Sequence, residues 1–369
     1  MKILVTGANG FVGKNLKVRI EERNDWEIIA VTRNTTAKET EDLLRGADAV
    51  IHLAGINRPE NTAEFKTGNA DYTEQLCKLM AEQARKLPVL FASSIQVGSD
   101  NPYANSKRDA EKHLEAYAVQ TGSPVAICRL MNVFGKWCRP NYNSAVATFC
   151  YNISHDLPIK INDPDADLQL VYVDDVVTAM LDWVVKSGEG LQWPEIGPIW
   201  KMTVGELADQ LTDYRKSRES LLVDMVGEGV GRALYATYLS YCDRDNFTYP
   251  LIKHGDERGI FVEMLKTTGS GQVSYFTAHP GVTRGGHYHH TKNEKFLVVK
   301  GNARFRFRNL DTDETTVVET NGEEPTVVET VPGWLHDITN IGEEEMIVML
   351  WANEIFDRDH PDTIAGELT

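Results

Sequence analysis

The stretch KILVTGANGFVGKN, Lys2 to Asn15, constrains this chain more than any other. A β-branched run gives way to Gly7, and Gly10 and Gly13 follow at intervals of three. Glycines so spaced between a strand and a helix permit a tight turn, a close backbone approach and a helix N-terminus aimed at a pyrophosphate. Gly7, Gly10, Phe11, Val12 and Gly13 are therefore the candidate cofactor loop.

Such a loop needs a parallel sheet around it. KILVT, EIIAV, AVIHLA, VLFAS and VAICR read as buried strands, separated by segments with helical apolar spacing. The alternation predicts βαβ units and a doubly wound, Rossmann-type α/β sheet. Thr203 and Glu206 in TVGEL predict a capping box. After about Tyr241 the helical period stops. VSYFTA, EKFLVVK, ARFRFRN, TTVVET, PTVVET and EMIVMLW then predict an all-β domain, with Asn321-Gly322 turning a hairpin between the two VVET copies. The polar stretch CDRDNFTYP sets the expected division at 1–243 and 244–369.

The net charge of −16 argues against nucleic-acid or membrane-surface partners, which want basic faces. The five cysteines include no CxxC pair, as suits reduced thiols in a cytosol. No apolar run reaches the length of a membrane span. A soluble cytoplasmic protein without membrane insertion is expected.

The residue that reads the cofactor ribose should stand at the end of the second strand. There the chain has Arg33 and no acid nearby. A guanidinium suits a 2′-phosphate, hence NADP(H), although a solvated surface arginine would look the same. Tyr103 and Lys107, four apart, share one helix face. An ammonium there would lower the pKa of the phenol, and a hydroxyl upstream would orient a substrate carbonyl. Ser94, ending VLFASS, is the natural third partner and Ser93 its understudy. Lys136 and Arg139 of KWCRPNYN, with Arg58 of INRPE, could meet a diphosphate or merely dress a solvated loop.

Near the other end stands GVTRGGHYHHTKNEKFLVVKG, Gly281 to Gly301. On an extended strand His287 and His289 share a face, while Tyr288 and His290 take the other. Glu294 follows, and VPGWLHDITN delivers His336 from a later strand. Three imidazoles and a carboxylate suit a divalent transition metal such as Zn, Ni, Fe or Mn.

Residues 1 to about 240 resemble the extended short-chain dehydrogenase/reductases that work on nucleotide sugars. The likeness rests on TGANGFVG, HLAG (His52 to Gly55), Ser94 with Tyr103 and Lys107, RLMNVFG and VYVDDVV. It implies that Tyr103 is the general acid and that Lys107 holds the nicotinamide ribose. It also implies that Ala54 of HLAG borders the cofactor and that Asn132 contacts the sugar nucleotide. One departure is that Ser94 and Tyr103 are only nine apart, shorter than most of that group.

The C-terminal part resembles the cupins. Gly281, His287, His289, Glu294 and Gly301 fit the first cupin motif. Gly333, His336 and Asn340 fit the second, with Pro332 one place late. HGDERGIFVEM, His254 to Met264, is similar to cupin-type epimerases acting on 4-keto-6-deoxy nucleotide sugars. In those, the position of His287 is the proton-abstracting base; here the full set of ligands favours a metal-binding role, and the base stays unassigned.

The two halves together resemble the bifunctional capsular-polysaccharide enzymes of the CapF/WbjC type, on GHYHHTKNEKFLVV and FGKWCRPNYNS. That resemblance implies a UDP-linked 4-keto-6-deoxy N-acetyl sugar, NADPH, a Zn-type site and a homodimer on the route to UDP-N-acetyl-L-fucosamine. C3 would be epimerised first and C4 reduced second, because the alcohol product no longer acidifies the C3 proton. Two alternatives stay open: a reductase whose cupin is structural, dimerising or ligand-sensing, and a nucleotide-sugar-binding regulator.

Overall fold

The computed structural model describes residues 1–252, 254–256, 259–261, 264–265, 267, 271–354 and 359–368. They form two compact units, one of residues 1–144 and 168–201, the other of 145–167 and 202–369.

In the first unit, β1 (Lys2–Thr6) leads into α1 (Phe11–Glu21), then β2 (Glu27–Val31), α2 (Ala37–Leu44) and β3 (Ala49–His52). A short α3 (Ala63–Phe65) runs through one π-helical stretch into α4 (Tyr72–Ala81), followed by β4 (Val89–Ser94), α5 (Pro102–Thr121) and β5 (Val125–Leu130). β6 (Asn132–Phe134) pairs in parallel with β7 (Asp167–Tyr172), which feeds α7 (Val173–Lys186), β8 (Leu191–Gln192) and β9 (Trp200–Thr203). The main sheet runs β2-β1-β3-β4-β5-β8, and every neighbouring pair is parallel. That is the expected Rossmann-type sheet. Leu4, Val50, Val89, Phe91 and Ile127 pack one face against Leu76, Met80 and Leu114 of the helices. Asn101 caps α5 by accepting from the Ala104 amide at 2.9 Å, with Pro102 at the first helical position.

The second unit begins with α6 (Ala145–Ser154) and resumes with α8 (Val204–Ser220) and α9 (Gly229–Leu239). Thr203 and Glu206 form the expected capping box of α8. Strands follow: β10 (Thr248–Pro250), β11 (His254–Asp256), β12 (Gly259–Phe261), β13 (Gln272–Ala278), β14 (Thr283–Tyr288), β15 (Glu294–Lys300) and β16 (Asn302–Asn309). The last are β17 (Thr315–Asn321), β18 (Thr326–Glu329), β19 (Trp334–Asn340), β20 (Met346–Ala352) and β21 (Ile364–Ala365). Two five-stranded antiparallel sheets, β10-β18-β15-β20-β13 and β17-β16-β19-β14-β21, make a cupin-like barrel. Phe247, Phe296, Phe305, Phe307, Trp334 and Val348 fill it. Glu257, Arg258, Val262 and Glu263 of HGDERGIFVEM lie outside the described residues.

Two expectations need correction. The VVET copies do not pair with each other: β17 pairs with β16, and β18 with β15 and β10. Asn321 does turn the chain, its side chain accepting from the Glu323 and Glu324 amides, but it turns it from one sheet into the other. The expected division at 243/244 also differs from the packing, which groups 145–167 and 202–243 with the barrel. The reason is buried chemistry: Arg218 of α8 and Tyr235 of α9 both reach Glu329 of β18.

Candidate active site and metal centre

The glycine loop is closed by backbone alone. Gly7 sits at φ +70° and its amide donates to the Val31 carbonyl at 3.0 Å. A Cβ on Gly13 would lie 2.4 Å from the Gly7 carbonyl oxygen, and one on Gly7 would lie 2.8 Å from the Ala54 nitrogen. Only glycine fits either place. No side chain caps α1, so the first-turn amides of Phe11, Val12 and Gly13 are presented to a ligand. This bare cradle fits a dinucleotide pyrophosphate. Arg33 stands exposed just beyond β2, with no protein partner among the described residues.

Ser94 ends β4, its hydroxyl accepting from the Gln96 amide at 3.2 Å, and it is the side chain whose influence on the Tyr103 phenol of α5 opposes the effect of burial. Ser93 faces the other way and donates to buried Glu111 at 2.6 Å, which also holds Arg129 through both carboxylate oxygens. Ser94, not Ser93, is thus the serine that acts on the tyrosine. Lys107 is buried one turn along α5; its Nζ donates to the Ala92 carbonyl at 2.9 Å and lies 4.5 Å over the Phe91 ring. Burial pulls its pKa down to about 8, against the raising influence of Glu111.

The expected lowering of the tyrosine by this lysine is not what the structure gives. Burial raises the Tyr103 pKa, and the Ser94 hydroxyl is what opposes the rise. The ammonium is turned to the β4 backbone, which removes the direct contact that would have stabilised a phenolate.

The expected diphosphate group divides. Arg58 and Arg139 both approach the Tyr142 ring, at 5.8 and 5.2 Å, and Tyr142 donates to Asn57 at 2.8 Å. Two exposed guanidinia are thereby gathered on one aromatic side chain. Lys136 is a correction: it is 1% exposed, and its Nζ donates to both oxygens of Asp174 at 2.9 and 2.8 Å. Its charge is spent inside the fold and is not offered to a ligand. Asn132 is exposed, its side chain donating to the Gln169 carbonyl at 3.1 Å.

In the barrel, the two sheets jointly deliver His287 from β14, His289 just after it, Glu294 from β15 and His336 from β19. One ligand atom from each lies within 4.8 Å of all the others. Glu294 Oε2 is 3.9, 3.1 and 3.5 Å from the Nε2 atoms of His287, His289 and His336. The alternation expected of the strand holds, since Tyr288 and His290 meet on the opposite face with ring centroids 5.8 Å apart. Gly285 and Gly286, at φ +95° and +74°, bulge β14 and aim His287 inward. Burial would raise the Glu294 carboxyl, but the three imidazoles hold it well below the usual carboxylate range. Burial lowers His336 to about 4 despite Glu294, and its Nε2 is buried without a hydrogen-bond partner. A buried, unprotonated, unpartnered imidazole nitrogen beside an ionised carboxylate fits a divalent cation.

Comparison with known proteins agrees with both halves. Residues 3–192 match the NAD dependent epimerase/dehydratase family, and residues 254–364 match the polysaccharide biosynthesis C-terminal domain. The chain is 55% identical over 368 residues to UDP-2-acetamido-2,6-beta-L-arabino-hexul-4-ose reductase of Pseudomonas aeruginosa, covering 99% of this chain and 98% of that one. It also aligns over 100% of both chains with the crystal structure of capsular polysaccharide assembling protein CapF from Staphylococcus aureus, at 40% identity and TM-score 0.68. The chain belongs to the CapF/WbjC family. Membership makes NAD(P) the cofactor class. UDP-glucuronic acid 4-epimerase from Bacillus cereus in complex with NAD shares the fold over 58% of this chain, at 21% identity and TM-score 0.52.

Several residues that shape the sites escape a sequence reading. His52, buried, is held between Thr6 at 2.7 Å and Thr73 at 2.9 Å, and Thr6 also accepts from the Ala54 amide. Asn69 bonds both the Ile56 amide and carbonyl and donates to Ser106 of α5 at 2.9 Å, tying the HLAG turn to the helix of Tyr103. Asp362 accepts from the amides of His290, Thr291 and Lys292, while its carbonyl meets His289 Nδ1 at 2.5 Å. Lys292 lies 2.9 Å from Glu294 Oε1. Only HLAG carried a motif signal; the others are defined by where the chain returns.

Proposed function

We propose that the chain is a bifunctional nucleotide-sugar enzyme. It epimerises C3 of a UDP-linked 4-keto-6-deoxy-N-acetylhexosamine in the barrel, then reduces the C4 ketone with NADPH in the Rossmann-type unit. The product is UDP-2-acetamido-2,6-dideoxy-L-talose, an intermediate for capsule or O-antigen L-N-acetylfucosamine, made by a cytoplasmic homodimer.

The observation that carries the reductase half is the influence of Ser94 on Tyr103, with Lys107 one turn on, in a chain 55% identical to a named UDP-keto-sugar reductase. Bound NADPH supplies the hydride. Tyr103, kept protonated at neutral pH by burial, donates its proton to the forming C4 alkoxide, and Ser94 orients that oxygen. Lys107 fixes the floor of the site through the Ala92 carbonyl and stands beside Gly55, where a Cβ would come 3.4 Å from its Nζ. Arg33 answers a 2′-phosphate, and Arg58 with Arg139 a diphosphate.

The epimerase half is supported by the four converging ligands. His287, His289, Glu294 and His336 would hold a divalent ion, with Zn favoured by the nitrogen-rich set. Such an ion supplies Lewis-acid polarisation of a carbonyl oxygen. Lys292 occupies one oxygen of Glu294 and leaves the other to face the imidazoles. His287, at 24% side-chain exposure, is the open side from which a sugar could approach.

A second reading has one observation in its favour: the name of the Pseudomonas relative records a reduction alone. On that reading the barrel is a structural, dimerising or ligand-sensing module.

The reductase half is tested with Tyr103→Phe by following NADPH oxidation on the UDP-4-keto sugar. Loss of the acid should cut kcat by about 10²–10⁴-fold, with NADPH affinity unchanged. Unaltered turnover would remove Tyr103 from the chemistry.

A further inference from the structure

The turn from His289 to Glu294 joins two of the four ligands, and its backbone is held from outside. The amides of His290, Thr291 and Lys292 donate to the Asp362 carboxylate at 2.9, 2.7 and 2.8 Å. The Asn293 amide donates to the side chain of Asn353, just after β20, at 2.9 Å. All four amides between the two ligands are thus spent on side-chain oxygens from distant parts of the chain. A turn closed in this way takes the conformation that those partners impose.

Both partners are in turn met by the helical hairpin of the same unit. Arg232 of α9 donates to the Thr291 hydroxyl through Nε at 2.7 Å and again through Nη2. That hydroxyl donates onward to Asp362 Oδ2 at 3.0 Å. Glu354 and Asp362 lie farther from Nη2, at 3.4 and 3.9 Å. The guanidinium therefore reaches the Asp362 carboxylate chiefly through the hydroxyl, so that three groups are ordered in one relay. Asn353, 0% exposed, donates to the Val226 carbonyl of the α8–α9 connection at 3.2 Å and to the Thr291 carbonyl at 3.3 Å. Asp362 completes the link to the site. Its carbonyl accepts from His289 Nδ1 at 2.5 Å, which leaves Nε2 unprotonated on the side of Glu294.

A half-exposed ion pair contributes little by itself. The weight of Arg232 rests instead on the turn that it fixes. We propose that Arg232 is a positioning residue of the metal centre, which acts through Thr291 and Asp362 to set the separation of His289 and Glu294. Metal affinity and coordination geometry in the barrel are then governed by α9, a helix in the part of the chain that resembles the reductases. The inference rests on the reading of the four ligands as a divalent metal site.

Cobalt(II) is the probe, bound to the full-length protein in place of zinc. Affinity is read by competition with a chromophoric chelator, and geometry by the visible d–d bands. Thr291→Val and Arg232→Met should each weaken Co²⁺ binding about tenfold, the low end for partners behind a metal ligand, and alter the bands. The double variant should be no weaker than Arg232→Met alone, because both changes break one relay. Thr291→Ser keeps the hydroxyl and should match the wild type in affinity and spectrum. A purely structural role would lower the Tm of the metal-free variants and leave affinity and spectrum unmoved, and that result would overturn the inference. Thr291→Ser binding as weakly as Thr291→Val would overturn it too. A wild type that takes up no stoichiometric Co²⁺ would overturn the metal reading and the inference together. Tight binding by the wild type, matched by Arg232→Met, would overturn the inference alone.

Discussion

Replacing Lys136 by methionine separates a residue that binds substrate from one that holds the fold. Lys136 is 1% exposed, and both oxygens of Asp174, itself 12% exposed in its side chain, lie within 2.9 Å of its Nζ. Removing one partner of a buried pair costs about 3–5 kcal/mol, because the other charge is left desolvated and unmatched. The slight exposure of Asp174 and its place in the first turn of α7 put the cost near the lower end, ~3 kcal/mol. For a unit of this size that is a fall in Tm of about 6–12 °C. Thermal unfolding by circular dichroism, at fixed protein and metal concentration, measures it. KM for the UDP-sugar should stay unchanged at a temperature where the variant is folded. Adding Asp174→Leu should return much of the lost stability, since an apolar pair replaces an ion pair without an orphan. An unmoved Tm with a raised KM would refute the reasoning and restore Lys136 to the ligand.

Arg33→Ala should raise the Kd for NADPH by about tenfold or more while leaving the Kd for NADH unmoved, measured by quenching of protein fluorescence. His52 is held near a pKa of about 3 by burial, aided by Lys107, against 6.5 for the ordinary imidazole. The unfolded chain therefore takes up a proton first, and stability is lost as pH falls from about 6.5 toward 3. At pH 5 the loss from this group is about 2 kcal/mol. Urea unfolding of the wild type and His52→Gln at pH 7 and pH 5 should show a shallower pH dependence in the variant. Asp362→Ala removes the acceptor for three amides of the turn carrying His289 and should weaken zinc binding about 10–100-fold, measured by competition with a chromophoric chelator.

Much of the fold was legible because its signals are local. The glycine loop, the five first-unit strands and the β14–β15 ligand stretch declare themselves within a dozen residues, through φ-dependent spacing and period-two alternation. The VVET hairpin was misread for the same reason: a local turn signal says that the chain reverses but not which sheet receives the next strand. Lys136 was misread because a lysine in a polar loop looks solvated until Asp174, 38 residues on, closes over it. Asn69 and Asp362 were invisible, since their partners, mostly backbone groups with the Ser106 and Thr291 hydroxyls, are brought near only by tertiary folding. The departure of Tyr103 from the expected lowering came from the direction of one ammonium, which spacing along a helix does not determine.

The bifunctional reading turns on whether the barrel labilises the C3 proton without the reductase acting. Incubating zinc-loaded protein with the UDP-linked 4-keto-6-deoxy N-acetyl sugar in D₂O, without NADPH, and following the C3 proton by NMR tests this directly. The account predicts deuterium at C3, abolished by His289→Ala and retained in Tyr103→Phe. Labelling no faster than in buffer alone would contradict it and leave a reductase whose barrel serves some other purpose.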